Sequence, residues 1–133
     1  MNALKAGKIV KSLLKVADVA HGNVFPIVAI EGTGFPYVTY RRTAVTPCYL
    51  KSNYPGSFED GAFVTVSVFS DDYEQSVETA DACFEALQEW RGTVGDIDVI
   101  ELQLRDSDED FTDNVFVQNL SFEIKVNNLK STK

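Results

Sequence analysis

Imidazole and thiol are scarce in this chain of 133 residues: one histidine, His21, and two cysteines, Cys48 and Cys83. The two cysteines stand far apart and in no metal-type pattern, and two reduced thiols are the expectation rather than a disulfide framework. His21 lies beside Gly22 in an expected loop, which suits a surface turn better than a general base. Long apolar runs are also missing. None approaches the roughly 20 residues a membrane helix needs. The N-terminus has neither the apolar core of roughly 7–15 residues nor the small-residue cleavage site of a secretory signal, so residence in a cytoplasm is expected. G-x-S-x-G, H-E-x-x-H, P-loop and dinucleotide fingerprints do not occur. The lone G-x-G of EGTGFP (31–36) lacks a third glycine and a strand-to-helix setting.

What is present is acid, and it is concentrated. Hydrophobic residues make up 44% and charged residues 24% of the chain, a composition that supports a packed core. The net charge of −8 is uneven: residues 1–70 carry seven bases and four acids, whereas residues 71–113 carry fifteen acids and only Arg91 and Arg105 as bases. Residues 114–133 return to a net +2. An acidic block between two mildly basic segments argues against tracking of DNA phosphates, which requires clustered Lys and Arg.

Periodicity supplies the elements. NALKAGKIVKSLLKVADVA reads as an amphipathic helix with Asn2 as N-cap and Leu4, Ile9, Val10, Leu13, Leu14 and Ala17 on one stripe. Lys5, Lys8, Lys11 and Lys15 fall on the other face. A basic amphipathic helix suits a membrane surface, but without Trp or Phe anchors a docked surface helix is the better reading. Short strands are expected at Val24–Ile30 and Tyr37–Arg42, and a long connection over residues 43–61 with a short strand near Tyr49. FVTVSVFS (63–70) alternates Val64, Val66 and Val68 with Phe63, Thr65, Ser67 and Phe69, the clearest strand in the chain. A helix over Tyr73–Arg91 follows, capped among Ser70, Asp71 and Asp72 and ended by Gly92, with Tyr73, Val77, Ala80, Phe84, Leu87 and Trp90 as its core stripe. Phe84 is expected at its centre, and Cys83 reads as core filler. A hairpin of Ile97–Leu104 and Val115–Val126 completes a single compact domain over residues 1–133. The expected class is α+β, a mostly antiparallel sheet with helices packed on one face.

Two charge features carry the functional question. Asp106, Asp108, Glu109, Asp110 and Asp113 fall where the hairpin is expected to turn. The D-x-D-x-D opening resembles a calcium loop, but Phe111 occupies the obligatory glycine position and Val117 the closing bidentate glutamate. A pore-facing or partner-facing acidic loop, or a solvated turn, fits better. On the second helix Glu74 and Glu78 stand one turn apart, as do Asp81, Glu85 and Glu89, with no lysine between them. Such like-charge pairs destabilise an isolated helix by roughly 0.2–0.5 kcal/mol each. A basic surface would relieve them, and the lysines of the first helix are the first candidate, with Arg41 and Arg42 the second.

Three phrases, VFPIVAIEGTGFPYVTYRR (24–42), VTVSVFSDDYEQSVETADACFEAL (64–87) and FVQNLSFEIKV (116–126), together resemble the tail-completion (tail-terminator) proteins of long-tailed phages and their prophage relatives. The resemblance covers nearly the whole domain, Leu4 to Val126. It implies a non-enzymatic assembly protein of virion tail and neck, present in the host cytoplasm during assembly. Such proteins form a six-membered ring on the head-proximal end of the tail tube, meeting the tube protein on one side and the head-tail connector on the other, while DNA passes through without specific binding. No cofactor, metal or catalytic residue is implied. Two other classes stay open on the residues alone: a monomeric acidic protein-binding module, and a small hydrolase using the carboxylate cluster with a divalent metal.

Overall fold

A computed structural model describes residues 1–47 and 59–127. Cys48 and the strand expected near Tyr49 lie outside the described residues. The alternating valines set the centre. In strand β3 (Glu59–Ser70), Ala62, Val64, Val66 and Val68 are fully buried, while Phe63, Thr65, Ser67 and Phe69 are half-buried on the other face. Antiparallel neighbours flank it, β2 (Tyr37–Thr46) on one side and β6 (Val115–Asn127) on the other. Strand β5 (Ile97–Thr112) pairs with β6, β4 (Gly92–Val94) pairs with the start of β5, and β1 (Val24–Pro26) runs parallel to β2. The order across the sheet is β1-β2-β3-β6-β5-β4.

The expected α+β class does not form. Of the described residues 49% are strand and 29% helical, and the single six-stranded sheet curls into a half-barrel, a β-rich fold rather than helices packed on a sheet. Two physical causes stand behind the correction. The strands are longer than the alternation suggested: β2 continues to Thr46, β3 starts at Glu59, and β5 runs through the whole acidic segment to Thr112. Register shifts at Arg42/Ala44, Val99/Glu101 and Leu104/Asp106 then bend these long strands, since a bulge adds twist and curvature. Strand β1 is shorter than expected because Ile27, at φ 64°, breaks the extended chain.

Two α-helices occur among the described residues, α1 (Ala6–Val16) and α2 (Tyr73–Leu87). Ile9, Val10, Leu13 and Leu14 of α1 are buried as expected, but Leu4 and Ala17 are exposed. Asn2 is not the N-cap. It opens a 3-10 turn (Asn2–Lys5), and its Nδ2 donates to the Asn127 carbonyl at 2.7 Å, tying the N-terminus to the end of β6. In α2, Asp72 is the cap, accepting from the Gln75 amide at 3.2 Å. The helix stops at Leu87, short of Arg91, and Gly92 begins β4.

The buried face of α2 is rotated from the expected one: Ser76, Thr79, Ala80, Cys83 and Leu87 are buried, while Tyr73 and Val77 are exposed and Phe84 is only half-buried. The side chains at the centre of the core are instead Phe122, Ile9, Leu14, Leu87 and Leu102, all fully buried. Phe122→Ala should therefore cost about 3–5 kcal/mol through lost burial and a cavity, and Phe84→Ala clearly less. Denaturant midpoints of the two variants check this, and equal losses would contradict the assignment.

Candidate functional site

The acidic run is not a turn. Asp106, Asp108, Glu109 and Asp110 lie on the distal half of β5, fully paired to β6, and only Asp113 belongs to the connection. Asp113 and Asn114 both take positive φ, 53° and 62°, the two-residue reversal that Asp and Asn tolerate best. Asp106, Asp108 and Asp110 share the sheet face of Ser121, Asn119 and Val117, and Glu109 points to the other face with Gln118. Asp108 accepts from Asn119 Nδ2 at 2.8 Å, and the Ser67 hydroxyl donates to Asn119 Oδ1 at 2.6 Å, a polar ladder across three strands. Asp106 and Asp110 turn back on the backbone, accepting from the amides of Ser107 at 2.9 Å and Phe111 at 2.7 Å.

Glu109 makes a contact that periodicity did not reveal. The Tyr73 hydroxyl at the start of α2 donates to it at 2.9 Å, and Gln118 Nε2 donates at 3.0 Å. Beside this clamp Tyr73 meets Phe116 edge-on at 5.5 Å, and Phe116 contacts Phe111 at 4.6 Å. The far end of the hairpin is thereby fastened to α2. The hydrogen bond to Glu109, then its charge, then partial burial hold the Tyr73 phenol above its ordinary value of 10.0. A raised phenol stabilises the clamp fully below the ordinary tyrosine value, and the contribution is lost as pH rises through the raised one.

The helix charges are laid out as expected, with one exception. Lys5, Lys8, Lys11 and Lys15 are all exposed, as are Glu74, Glu78, Asp81, Glu85 and Glu89, but Glu89 lies beyond the end of α2 with φ 60°. Although α1 and α2 touch, no lysine of the first pairs with an acid of the second among the described residues. The ion pairs found there are Arg105 with Glu101 (3.1 Å) and Glu123 (2.9 Å), and Lys125 with Glu101 (3.8 Å). All are partly exposed and worth about 0–1 kcal/mol each. Opposite charges on the two helices are thus presented outward.

Catalytic chemistry finds little support. His21 is exposed in a left-handed reversal with Asp18 and Ala20. Burial pushes the Cys83 thiol up to about 12, which leaves it protonated and unreactive. Among the described residues no three His, Cys, Asp or Glu side chains gather to hold a metal ion. A calcium loop must wrap its ion, whereas an extended strand rising about 3.4 Å per residue sets alternate carboxylates along a line.

No family model and no curated protein sequence matches this chain. Among solved structures, a chain of the virion of a native gene transfer agent (GTA) particle shares its fold, with a TM-score of 0.74 and 17% identity over 94% of this chain and 95% of that one. A second, described only by a sequence identifier, aligns over 97% of this chain and 94% of its own at a TM-score of 0.50 and 14% identity. At these identities the likeness is one of fold.

Two outcomes test the site geometry. Glu109→Gln should bring the Tyr73 titration down toward the ordinary tyrosine value, read as the tyrosinate absorbance lost on adding Tyr73→Phe; an unmoved titration would place the cause elsewhere. Calcium titration by calorimetry should give weak binding that salt suppresses, and a stoichiometric micromolar site would revive the metal-dependent hydrolase.

Proposed function

We propose that this chain is a structural protein of a phage or prophage-derived particle, which caps the head-proximal end of the tail tube as a six-membered ring and joins tail to head. The observation that carries the reading is the end-to-end fold match with a virion chain, nearly complete on both sides at a TM-score of 0.74. The sequence phrases at 24–42, 64–87 and 116–126, which resemble tail-terminator proteins, support the same role. Its partners are then the tail-tube protein and the head-side connector, and its places the host cytoplasm during assembly and the virion neck afterwards. The role is architectural and needs no catalytic group.

The charge layout suits a ring. A closed ring repeats one heterologous contact, in which a face of each subunit meets a different face of the next. The exposed lysines of α1 and the exposed acids of α2 and β5 are two unlike faces on one chain. A net charge of −8 also suits a channel through which DNA slides, because carboxylates repel phosphate.

Imaging of tail tubes mixed with the protein should show a six-fold cap on one end. Bare ends at saturating protein would end the ring reading. Lys8→Glu with Lys15→Glu should weaken cap formation while the monomer stays folded. Added salt should weaken it too, since exposed charges are screened within about 10 Å at 0.1 M.

A further inference from the structure

Between α1 and β2 lies an open cleft of about 520 Å³. Its walls are apolar, from Leu4, Ile27 and the ring of Tyr40, and its rim carries four cations, Lys8, Lys11, Arg41 and Arg42, with no carboxylate among the described residues that line it. The cleft is a built feature. A Cβ on Gly7 would lie 3.2 Å from the Tyr40 ring, so glycine is what lets α1 settle onto Tyr40. Arg42 Nη1 donates to the Leu4 carbonyl at 2.8 Å and fixes one side of the mouth. Leu4 is 50% exposed and Ile27 69%, so the cleft offers apolar surface to a partner. Such a surface fits a partner that presents carboxylates together with an apolar side chain.

The far end of the β5–β6 hairpin carries both chemistries. Phe111, 53% exposed and packed on Phe116, lies on one face of the hairpin, Asp108 and Asp110 lie on the other, and Asp113 is in the connection. None of these acids has a cationic partner among the described residues. Within one subunit the two features cannot meet. The register runs Tyr40–Val66–Leu120–Ser107 across four strands, which separates the cleft from β5 by about 14 Å, and Phe111 lies farther along the strand.

The geometry points to a head-to-tail contact in which the acidic end of one copy's β5–β6 hairpin, led by Phe111, seats in the α1–β2 cleft of the next copy. This deepens the ring reading above and rests on it. The contact is heterologous, so it propagates from copy to copy until the rotation closes. Carboxylates meet the Lys and Arg rim, while the phenyl ring covers Leu4, Ile27 and Tyr40.

Complementary charge reversal tests it on the full chain. Lys11→Glu with Arg41→Glu makes the cleft acidic, and Asp108→Lys with Asp110→Lys makes the hairpin end basic. By sedimentation, each double variant alone should lose self-association by at least about tenfold, because its two faces now carry like charge. An equal mixture should recover it, since each reversed face finds its complement on the other variant. Phe111→Ala should weaken wild-type association by about tenfold as well. Circular dichroism matching wild type establishes that each variant is folded. A wild-type chain that stays monomeric at millimolar concentration, a mixture no better than its components, or equal loss on reversing Glu78 and Glu85 instead would overturn the contact. Six-fold caps formed on tail tubes by both double variants separately would refute the contact and leave the ring reading standing. Bare tube ends alongside recovery in the mixture would do the opposite.

Discussion

The fold depends on one strand being apolar along a single face. Strand β3 is paired on both sides over most of its length, so its register fixes that of β2 and β6 together. A slip by one residue would turn Val64, Val66 and Val68 outward and bring Thr65 and Ser67 in. Each fully buried valine is worth roughly 1.5–3 kcal/mol, so three of them rival the whole net stability of a domain, about 5–15 kcal/mol. Residues of both helices join the same buried cluster, Ile9, Val10 and Leu14 from α1 and Cys83 and Leu87 from α2. The helices therefore find their places on a surface that the valines have already oriented.

The strands were legible where a two-residue alternation could be read without knowing the partner. Strand β3 and the inner positions Leu120, Phe122, Ile124 and Val126 of β6 are of that kind. The extension of β5 through Asp106–Asp110 was not, because acidic residues favour strands poorly and only pairing with β6 holds them extended. The face of α2 was misread for a related reason. Hydrophobicity favoured Tyr73, Val77 and Phe84, but the space on the inner side admits small residues, Ser76, Thr79, Ala80 and Cys83. A buried serine is tolerable there because Ser76 donates to the Tyr73 carbonyl at 2.6 Å. Tyr73, freed from the core, reaches the hairpin instead. Exposed charges were legible individually, since exposure demands little of the tertiary structure. Their spatial relation, with Glu109 clamped and Asp106, Asp108, Asp110 and Asp113 in no ion pair among the described residues, depends on contacts between residues distant in sequence.

The unrelieved charge on the helices is cheap to carry. Repulsion between acids one turn apart amounts to a few tenths of a kcal/mol per pair, far below what the buried core provides. The chain can hold such a face without losing its fold. The same holds for the Glu109–Tyr73 clamp. It fixes the far end of the hairpin against α2, so any contact made there would cost little further conformational entropy.

The two aspartates that turn back on their own backbone have a consequence for the sheet as a whole. Strand β4 covers β5 only at Ile97–Val99. Beyond that, the Glu89 amide and the Gln88 side chain serve Leu102 and Leu104. An uncovered strand edge is an invitation to add another strand. Asp106 and Asp110 accept from the Ser107 and Phe111 amides, and the charge of this row would repel any copy bearing the same row. The open stretch of the border is guarded by charge carried on the strand that forms it.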